Sequence, residues 1–342
     1  MPFDPAERRR IGQSTVAVTR LGLGGASIGG LFRPVADDDA IATVDRAWAL
    51  GIRYFDTAPL YGYGNSEHRM GRALSARPRD SFVLSTKVGR LIYPVDQITR
   101  DADVDRQELD GREDAFYAGT GPVRPVFDYS SDGVRRSVEE SLERLGLDRI
   151  DIALIHDPDD HWPAAIGEAY PALHRLREQG TVGAIGVGMN QSAMLARFAR
   201  EGDFDVFMLA GRYTLFDQVG LIDLLPLCVQ RGIAVLVAGT MNSGILAATG
   251  PGARLDYQPA PLAAIERARR LEAVCVRHGT QLKAAAIQFP LAHPAVASIV
   301  AGVRSVAHLD EYPVLMREAI PQGLWHELKH EALIASDAPT PG

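Results

Sequence analysis

Short runs of apolar residues recur along the chain and are separated by segments with a helical period. The runs are rich in β-branched residues, which is typical of buried parallel strands. Between them, residues 131–145 show the clearest helical pattern, with Ser131 or Asp132 expected as the N-cap and Gly146 as the end. Eight strands are predicted, at residues 21–24, 52–55, 82–84, 150–155, 184–187, 206–209, 233–237 and 297–301.

The order of these elements leaves two folds open. Strands that alternate with helices over 342 residues form either a closed (β/α)8 barrel or an open doubly wound sheet. Gly22, Gly24 and Gly25 follow the first apolar run, but the third glycine and the acidic residue of a dinucleotide-binding GxGxxG motif are missing. We therefore expect an α/β fold with a single (β/α)8 TIM barrel domain over residues 1–342.

Further segments complete this expectation. The alternation of residues 14–19 indicates an N-terminal β-hairpin ahead of the barrel. Residues 91–128 are rich in Asp, Arg, Gly and Pro and predict a long loop after the third strand, and a loop of this length usually carries function. Other helices are predicted at residues 40–50, 163–179, 192–200, 261–278 and 320–333.

Composition and charge narrow the classes of function. The net charge is -7, and the densest basic run, residues 8–10, is too short to bind nucleic acid. No apolar run approaches the roughly 20 residues that span a bilayer, so we expect no membrane partner and a cytoplasmic location. Cys228 and Cys275 lack metal-like spacing and are expected as reduced core thiols. No heptad pattern is evident, and a monomer is expected.

Four polar residues follow predicted strands, where the reactive groups of a (β/α)8 barrel lie. Asp56, Lys87 and His156 each end a strand, and Tyr61 lies in the glycine-rich loop after Asp56. A phenol with an ordinary pKa near 10 needs help to exchange protons near neutral pH. A lysine beside it stabilises phenolate, a carboxylate holds that lysine, and a histidine can bind the substrate oxygen. Together the four residues indicate a proton-transfer site.

Each of these residues also has an ordinary structural explanation, and other sites were weighed. An aspartate after a strand often caps a turn, and a strand-end histidine often bonds to backbone. A (β/α)8 metallohydrolase is a second enzyme class, but the candidate ligands crowd on one loop and no HxH or distant pair completes them, so no metal is expected. The crowded ligands are His156, Asp157, Asp159, Asp160 and His161.

The four residues and the segments around them resemble the aldo-keto reductase family, whose Asp-Tyr-Lys-His tetrad matches Asp56, Tyr61, Lys87 and His156. The resemblance covers nearly the whole chain. Within the family, residues 210–216, 242–246 and 320–328 resemble the group of L-fucose/D-threo-aldose 1-dehydrogenases and pyridoxal 4-dehydrogenase. The matching motifs are residues 51–58, 61–62 and 66–67 in the first, and residues 141–148, Asp151 and His156 in the second.

The resemblance implies a hydride transfer between nicotinamide and a carbonyl or alcohol carbon. Tyr61 would move the proton, Lys87 would lower the pKa of Tyr61 with Asp56 as its ion-pair partner, and His156 would orient the substrate oxygen. NADP(H) is favoured because Arg304 can pair with a 2′-phosphate, and NAD(H) stays open. The implied cofactor contacts are Gly24, Asp56, Asn190, Ser243, Gly244, Gly302, Arg304, His308 and Glu311.

Two departures from the family pattern affect the cofactor site. Ala210 stands where many members have a glutamine under the nicotinamide, and Ala238 stands where many have a stacking tyrosine. The packing of the nicotinamide must therefore differ here.

The sequence leaves three interpretations of the function open. An aldose such as L-fucose or L-galactose oxidised at carbon 1 is favoured by the subgroup resemblance. A bulky ketone or aldehyde reduced for detoxification is the alternative, because aromatic residues are frequent in residues 91–129. A nucleotide-binding partner module, as in potassium-channel β subunits, is opposed by the intact tetrad.

Overall fold

In the computed structural model, eight parallel strands close into a barrel, as the sequence predicted. The structure describes residues 3–106, 116–250 and 252–342, together with the backbone of residues 108, 109, 112 and 113. The first strand pairs with both the second and the last, which closes the cylinder. The strands are β1 (Leu21–Gly24), β2 (Tyr54–Asp56), β3 (Val83–Val88), β4 (Ile150–His156), β5 (Val182–Met189), β6 (Val206–Ala210), β7 (Ala234–Ala238) and β8 (Val296–Ala301).

The barrel strands are buried on both faces, which explains their continuous apolar runs. In β4, Ile152 and Leu154 belong to the apolar cluster inside the barrel, whereas Ala153 and Ile155 pack under the helices. Gly22 leaves room for the ring of Tyr54 on the neighbouring strand, because a Cβ at this position would overlap that ring.

Helices surround the barrel. Residues 131–145 form a helix as predicted, but Ser130 rather than Ser131 or Asp132 is its N-cap, accepting a hydrogen bond from the Gly133 amide. The predicted helix at 163–179 is interrupted by a π-helical turn at Ala165–Ala169. The main helices are α1 (Asp37–Ala49), α2 (Asn65–Leu74), α3 (Ser131–Leu145), α4 (Tyr170–Glu178), α5 (Ser192–Glu201), α6 (Leu224–Arg231), α7 (Leu262–Arg277), α8 (Leu282–Leu291), α9 (Val306–Arg317) and α10 (Gln322–His330).

The N-terminal hairpin closes one end of the barrel. Arg8–Arg10 pairs antiparallel with Ala17–Thr19, which confirms the predicted hairpin. Ile11 and Val18 pack against the apolar cluster inside the barrel. The opposite end, where the strands terminate, stays open.

The loop after β3 contains its own secondary structure. Arg90–Pro94 pairs antiparallel with Val123–Phe127, so the predicted long loop begins and ends as a two-stranded ribbon. Glu108–Leu109 pairs with Arg112–Glu113. Among the described residues, no helix is both long enough and apolar enough to cross a membrane.

Candidate active site

A buried ion pair lies at the carboxyl ends of β2 and β3. The Lys87 ammonium donates hydrogen bonds to both Asp56 carboxylate oxygens, at 3.0 and 2.9 Å, and to the Thr57 carbonyl at 2.9 Å. Asp56 also accepts a hydrogen bond from the Ser85 hydroxyl at 2.6 Å. The side chains of Asp56 and Lys87 are almost fully buried. All three ammonium donors are therefore used, which fixes the position of the Lys87 charge.

Tyr61 lies against this ion pair. The Lys87 nitrogen is 4.5 Å from the centre of the Tyr61 ring, and the His156 ring meets the Tyr61 ring edge-on at 5.6 Å. The turn that carries Tyr61 depends on Gly62, which has a φ of +66° and packs against the Gly29 carbonyl where a Cβ would overlap. The structure thus brings the four predicted residues together.

The surroundings of Tyr61 keep its hydroxyl protonated. Burial, followed by the negative charge of Asp56, raises the pKa of Tyr61 well above its ordinary value of 10.0. Any lowering of this pKa by Lys87 is outweighed, because burial and the Asp56 charge act in the opposite direction. The phenol is therefore a proton donor at neutral pH.

His156 ends β4 and is held by its backbone. Its carbonyl accepts hydrogen bonds from the Tyr129 hydroxyl at 2.6 Å and from the Arg90 guanidinium at 2.8 Å. Burial, followed by the positive charges of Arg90 and Lys87, lowers the pKa of His156 well below 6.5. The imidazole is therefore neutral at neutral pH and can donate one hydrogen bond.

The two sequence motifs meet away from the cavity. Glu67, fully buried in the first motif, accepts hydrogen bonds from the Thr86 hydroxyl at 2.7 Å and from Arg144 of the second motif at 2.6 Å. Asp151 accepts a hydrogen bond from the Leu84 amide at 2.7 Å. These motif residues position β3 beside the tetrad and do not line the cavity.

A cavity of about 830 Å³ opens above the tetrad at the carboxyl end of the barrel. Tyr61, Lys87 and His156 lie in its wall with Asp56. The other predicted cofactor contacts line the same cavity, so the structure brings all of them together. These are Gly24, Asn190, Ser243, Gly244, Gly302, Arg304, His308 and Glu311.

Several features of this wall suit a long ligand that carries both phosphate groups and a hydrogen-bond donor. Gly244 has open space where a side chain would point. The side-chain oxygen of Asn242 is buried without a hydrogen-bond donor among the described residues. Arg304 and Arg33 have no ion pair in the part of the chain that the structure describes, and burial and the Arg33 charge lower the pKa of Arg304. Two neighbouring cations without a counter-ion favour a bound phosphate.

The two residues that depart from the family pattern lie next to each other in the cavity wall. Ala210 and Ala238 are paired at the carboxyl ends of β6 and β7, and both line the cavity. The amide nitrogen of Asn242 donates to the Gly211 carbonyl at 3.1 Å, beside Ala210. A polar side chain is therefore close to the place where many family members have glutamine.

Sequence reasoning missed several residues of the site. Arg90 and Lys283 line the cavity but belong to none of the recognised motifs, and Asn242 lies in the recognised segment 242–246 without an assigned role. Arg90 follows the end of β3 by two residues, and that proximity is the one signal that pointed to it. Among the described residues, no group of three or more His, Cys, Asp or Glu is placed to hold a metal ion.

The fold and the assembled site define the class of protein. Residues 20–321 match the Aldo/keto reductase family, and the chain belongs to that family. The protein is therefore an oxidoreductase that acts on carbonyl or alcohol groups of small molecules with a nicotinamide cofactor.

Two characterised relatives resemble the chain over nearly its whole length. The D-threo-aldose 1-dehydrogenase of Pseudomonas sp is 42% identical, over 95% of this chain and 96% of the relative. The pyridoxal 4-dehydrogenase of Microbacterium luteolum is 41% identical, over 98% of this chain and 100% of the relative. The aldo-keto reductase AKR11C1 from Bacillus halodurans, in its holo form, has the same fold, with a TM-score of 0.72 and 24% identity over 97% of both chains.

Proposed function

We propose that the protein oxidises aldoses at carbon 1, with the tetrad residues as its catalytic group. The observation that carries this proposal is that Tyr61, the Lys87–Asp56 pair and His156 meet at the floor of a cavity large enough for a dinucleotide and a sugar. The similarity to a D-threo-aldose 1-dehydrogenase supports the substrate class. A bound nicotinamide ring supplies the hydride acceptor for oxidation and the hydride donor for reduction.

Tyr61 is the group that moves the proton. During oxidation the substrate hydroxyl gives its proton to the Tyr61 phenolate oxygen as the C1 hydrogen leaves as hydride, and during reduction the Tyr61 hydroxyl returns it. Burial keeps Tyr61 protonated, so oxidation requires a prior loss of its proton. The Lys87 ammonium, 4.5 Å from the ring centre, stabilises the phenolate that this loss creates.

His156 orients the substrate. A neutral imidazole with its backbone fixed by Tyr129 and Arg90 offers one N–H to the substrate oxygen. Because the carbonyl oxygen gains negative charge as hydride arrives, a preorganised donor stabilises that charge without moving. Asp56 acts indirectly, by holding Lys87 through two hydrogen bonds.

The far end of the cavity would hold the dinucleotide. Asn190 would bind its carboxamide, Ser243 and Gly244 its pyrophosphate, and Arg304 its adenosine 2′-phosphate. The Arg304–Arg33 pair without a counter-ion supports NADP(H) over NAD(H). Gly24, Gly302, His308 and Glu311 complete the wall, and Glu311 accepts a hydrogen bond from Lys283 at 2.7 Å.

A nicotinamide absorbance assay tests the proposal. NADP+ and NAD+ are each offered with L-fucose, L-galactose, D-arabinose and pyridoxal, and NADPH and NADH with panels of ketones and aldehydes. We expect sugar oxidation with NADP+ as the better cofactor and, in fluorescence titrations, tighter binding of NADPH than NADH. Carbonyl reduction without sugar oxidation would contradict the aldose assignment, and tighter NADH binding would contradict the cofactor assignment.

The structure also favours a second candidate, the reduction of a bulky aldehyde or ketone. Aromatic side chains line the cavity near the tetrad, and a protonated Tyr61 suits reduction without a prior step. The same assay separates the two functions. No turnover with any substrate would leave only nucleotide binding, as in a partner module.

A further inference from the structure

Asp157 is a carboxylate in the cavity wall that the proposed mechanism does not use. It follows His156 directly, and its amide donates a hydrogen bond to the Gly188 carbonyl at 3.0 Å, which continues the pairing of β4 with β5. Its φ of +41° lies in the left-handed region, which non-glycine residues rarely adopt. Tyr129, which donates to the Asp157 carbonyl at 3.0 Å, helps to hold this conformation. A strained backbone held in place at a cavity suggests a functional side chain.

The Asp157 carboxylate makes only long contacts with the charged and polar side chains that the structure describes around it. Its nearest ionisable partners among the described residues are the neutral His156 imidazole, with Nε2 at 3.4 Å, and the Arg90 guanidinium at 3.9 Å. Arg90 is already committed to Asp105 and to the His156 carbonyl. The Asp157 side chain is 37% exposed, and it lines the cavity. It therefore keeps acceptor sites that a ligand can fill.

The position of Asp157 relative to His156 indicates which ligand group it meets. The proposed mechanism places the reacting substrate oxygen at His156. The Asp157 carboxylate is 3.4 Å from the His156 nitrogen, so a second substrate oxygen bound at Asp157 would lie next to the reacting oxygen. Two substrate oxygens that lie next to each other fit oxygens on neighbouring carbons. That second oxygen must carry a hydrogen, because a carboxylate is an acceptor only. A hydroxyl on the carbon next to the reacting carbon fits this description.

The remaining walls suit the apolar faces of a sugar. Tyr61 and Tyr117 lie 6.3 Å apart between ring centres, and Phe116 and Tyr257 lie 5.4 Å apart. All four line the same cavity as Asp157, and burial is the main cause that raises the pKa of Tyr61, Tyr117 and Tyr257, with a smaller contribution from the Asp157 charge. Aromatic faces on several sides and one free carboxylate form a pocket for a neutral polyhydroxylated ring.

We infer that Asp157 is a specificity-determining residue whose carboxylate accepts a hydrogen bond from the C2 hydroxyl of the aldose. The inference rests on the proposed function and goes beyond it, because it assigns the selection of substrate to a residue outside the tetrad. A site built to bind a hydroxyl rejects an analogue that lacks it, since the bound analogue covers the acceptor and leaves it unpaired. The same charge repels substrates that carry a phosphate or carboxylate at this position.

Protonation of Asp157 gives the inference a second readout. Burial raises the pKa of Asp157 to about 6, against the opposing charge of Arg90. His156, with its pKa far below 6.5, stays neutral across this range. As the pH falls through about 6, Asp157 becomes neutral and its bond to the C2 hydroxyl weakens. The other charged groups that act on Asp157 are Asp159, Lys87 and Asp105.

Paired substrates test the inference. The kcat/KM values of wild type, Asp157→Asn and Asp38→Asn are compared for L-fucose against 2-deoxy-L-fucose and for D-arabinose against 2-deoxy-D-ribose. Asp38→Asn is the control for the loss of a carboxylate, because Asp38 is an exposed acid of α1 that does not line the cavity. Thermal unfolding and NADPH titration of each variant verify that the fold and cofactor site are intact.

Asp157→Asn keeps a neutral acceptor oxygen but removes the charge, so we expect it to lower kcat/KM for the hydroxylated sugars about 10-fold, the usual difference between a hydrogen bond to a charged group and one to a neutral group. The 2-deoxy sugars should change little, and Asp38→Asn should leave both unchanged. In wild type, the ratio of kcat/KM for L-fucose to kcat/KM for 2-deoxy-L-fucose should fall below about pH 6, and in Asp157→Asn it should stay constant, because the dependence on Tyr61 is common to both sugars and cancels in the ratio. An equal loss on both members of a pair, or no loss, overturns the inference while the proposed function stands. Absence of sugar oxidation in wild type overturns both.

Discussion

At the scale of single residues, Tyr61 is held in a state that favours one direction of proton transfer. Burial and the Asp56 charge oppose ionisation of its phenol, while the Lys87 ammonium below the ring is bound to Asp56. The hydroxyl is thus ready to donate a proton but must lose one before it can accept. The two directions of the reaction should therefore respond differently to pH.

We expect the rate of alcohol oxidation to rise with pH from 6 to 9, because the fraction of Tyr61 as phenolate grows below its raised pKa. Carbonyl reduction should stay constant over the same range, since Tyr61 remains protonated. The two pH profiles are measured as initial rates of oxidation and of reduction, with saturating cofactor and in buffers of equal ionic strength. A flat profile for oxidation would show that another step limits the rate or that Tyr61 does not accept the proton.

The four tetrad residues were predictable from the sequence because each lies at or just after a strand end, where barrel chemistry occurs. Asp157 and Arg90 were not recognised as site residues. Their placement depends on a positive φ at Asp157 and on the packing of the loop after β3, and neither is visible in a local pattern. The net pKa of Tyr61 also depends on burial, which the sequence does not give.

At the scale of elements, α2 and α3 are joined by a buried ion pair that supports β3. Glu67 of α2 is fully buried, and Arg144 of α3 is its charged partner, with 15% of the Arg144 side chain exposed. Glu67 also accepts a hydrogen bond from Thr86, the residue before Lys87. Breaking this pair leaves a buried carboxylate without its counter-ion next to the strand that carries Lys87.

Arg144→Ala should lower the free energy of unfolding by about 3 kcal/mol, the usual cost of an uncompensated buried charge. Arg135→Ala on the same helix is the control. Arg135 pairs with Asp132 and Glu139 on the surface, where solvent screens the charges, so its loss should lower the free energy of unfolding much less than the loss of Arg144 does. Urea unfolding of both variants measures the difference. Equal costs would show that the Glu67–Arg144 pair does not stabilise the fold.

Three of the helices that the sequence did not predict lack a clear helical pattern, each for a physical reason. In α2 the polar residues outnumber the apolar ones, α8 is buried on all sides and has no helical stripe, and α9 carries Pro313 inside it. Amphipathic periodicity is the signal on which helix prediction depends, and α8 and α9 lack it. α2 is amphipathic, but it is only 10 residues long and has few apolar residues. The strands were predicted well because burial on both faces makes each a continuous apolar run.

At the scale of the whole molecule, the barrel has one closed end and one open end. The hairpin of Arg8–Arg10 and Ala17–Thr19 packs under the interior cluster, and the cavity lies at the carboxyl ends of the strands. We propose that residues 1–342 form a single (β/α)8 barrel domain. The alternation of strands and helices predicted the barrel, but which loops line the cavity followed only from the folded chain.

The central claim is that Tyr61 transfers the proton in a nicotinamide-dependent reaction. The most direct measurement is turnover by Tyr61→Phe, followed by nicotinamide absorbance, together with NADPH binding by fluorescence. Tyr93→Phe is the control, because the Tyr93 hydroxyl accepts a hydrogen bond from Arg136, and Tyr93 is not among the residues that line the cavity. We expect Tyr61→Phe to bind NADPH as wild type does and to lose about 10²- to 10⁴-fold in kcat. Turnover close to that of wild type would contradict the account.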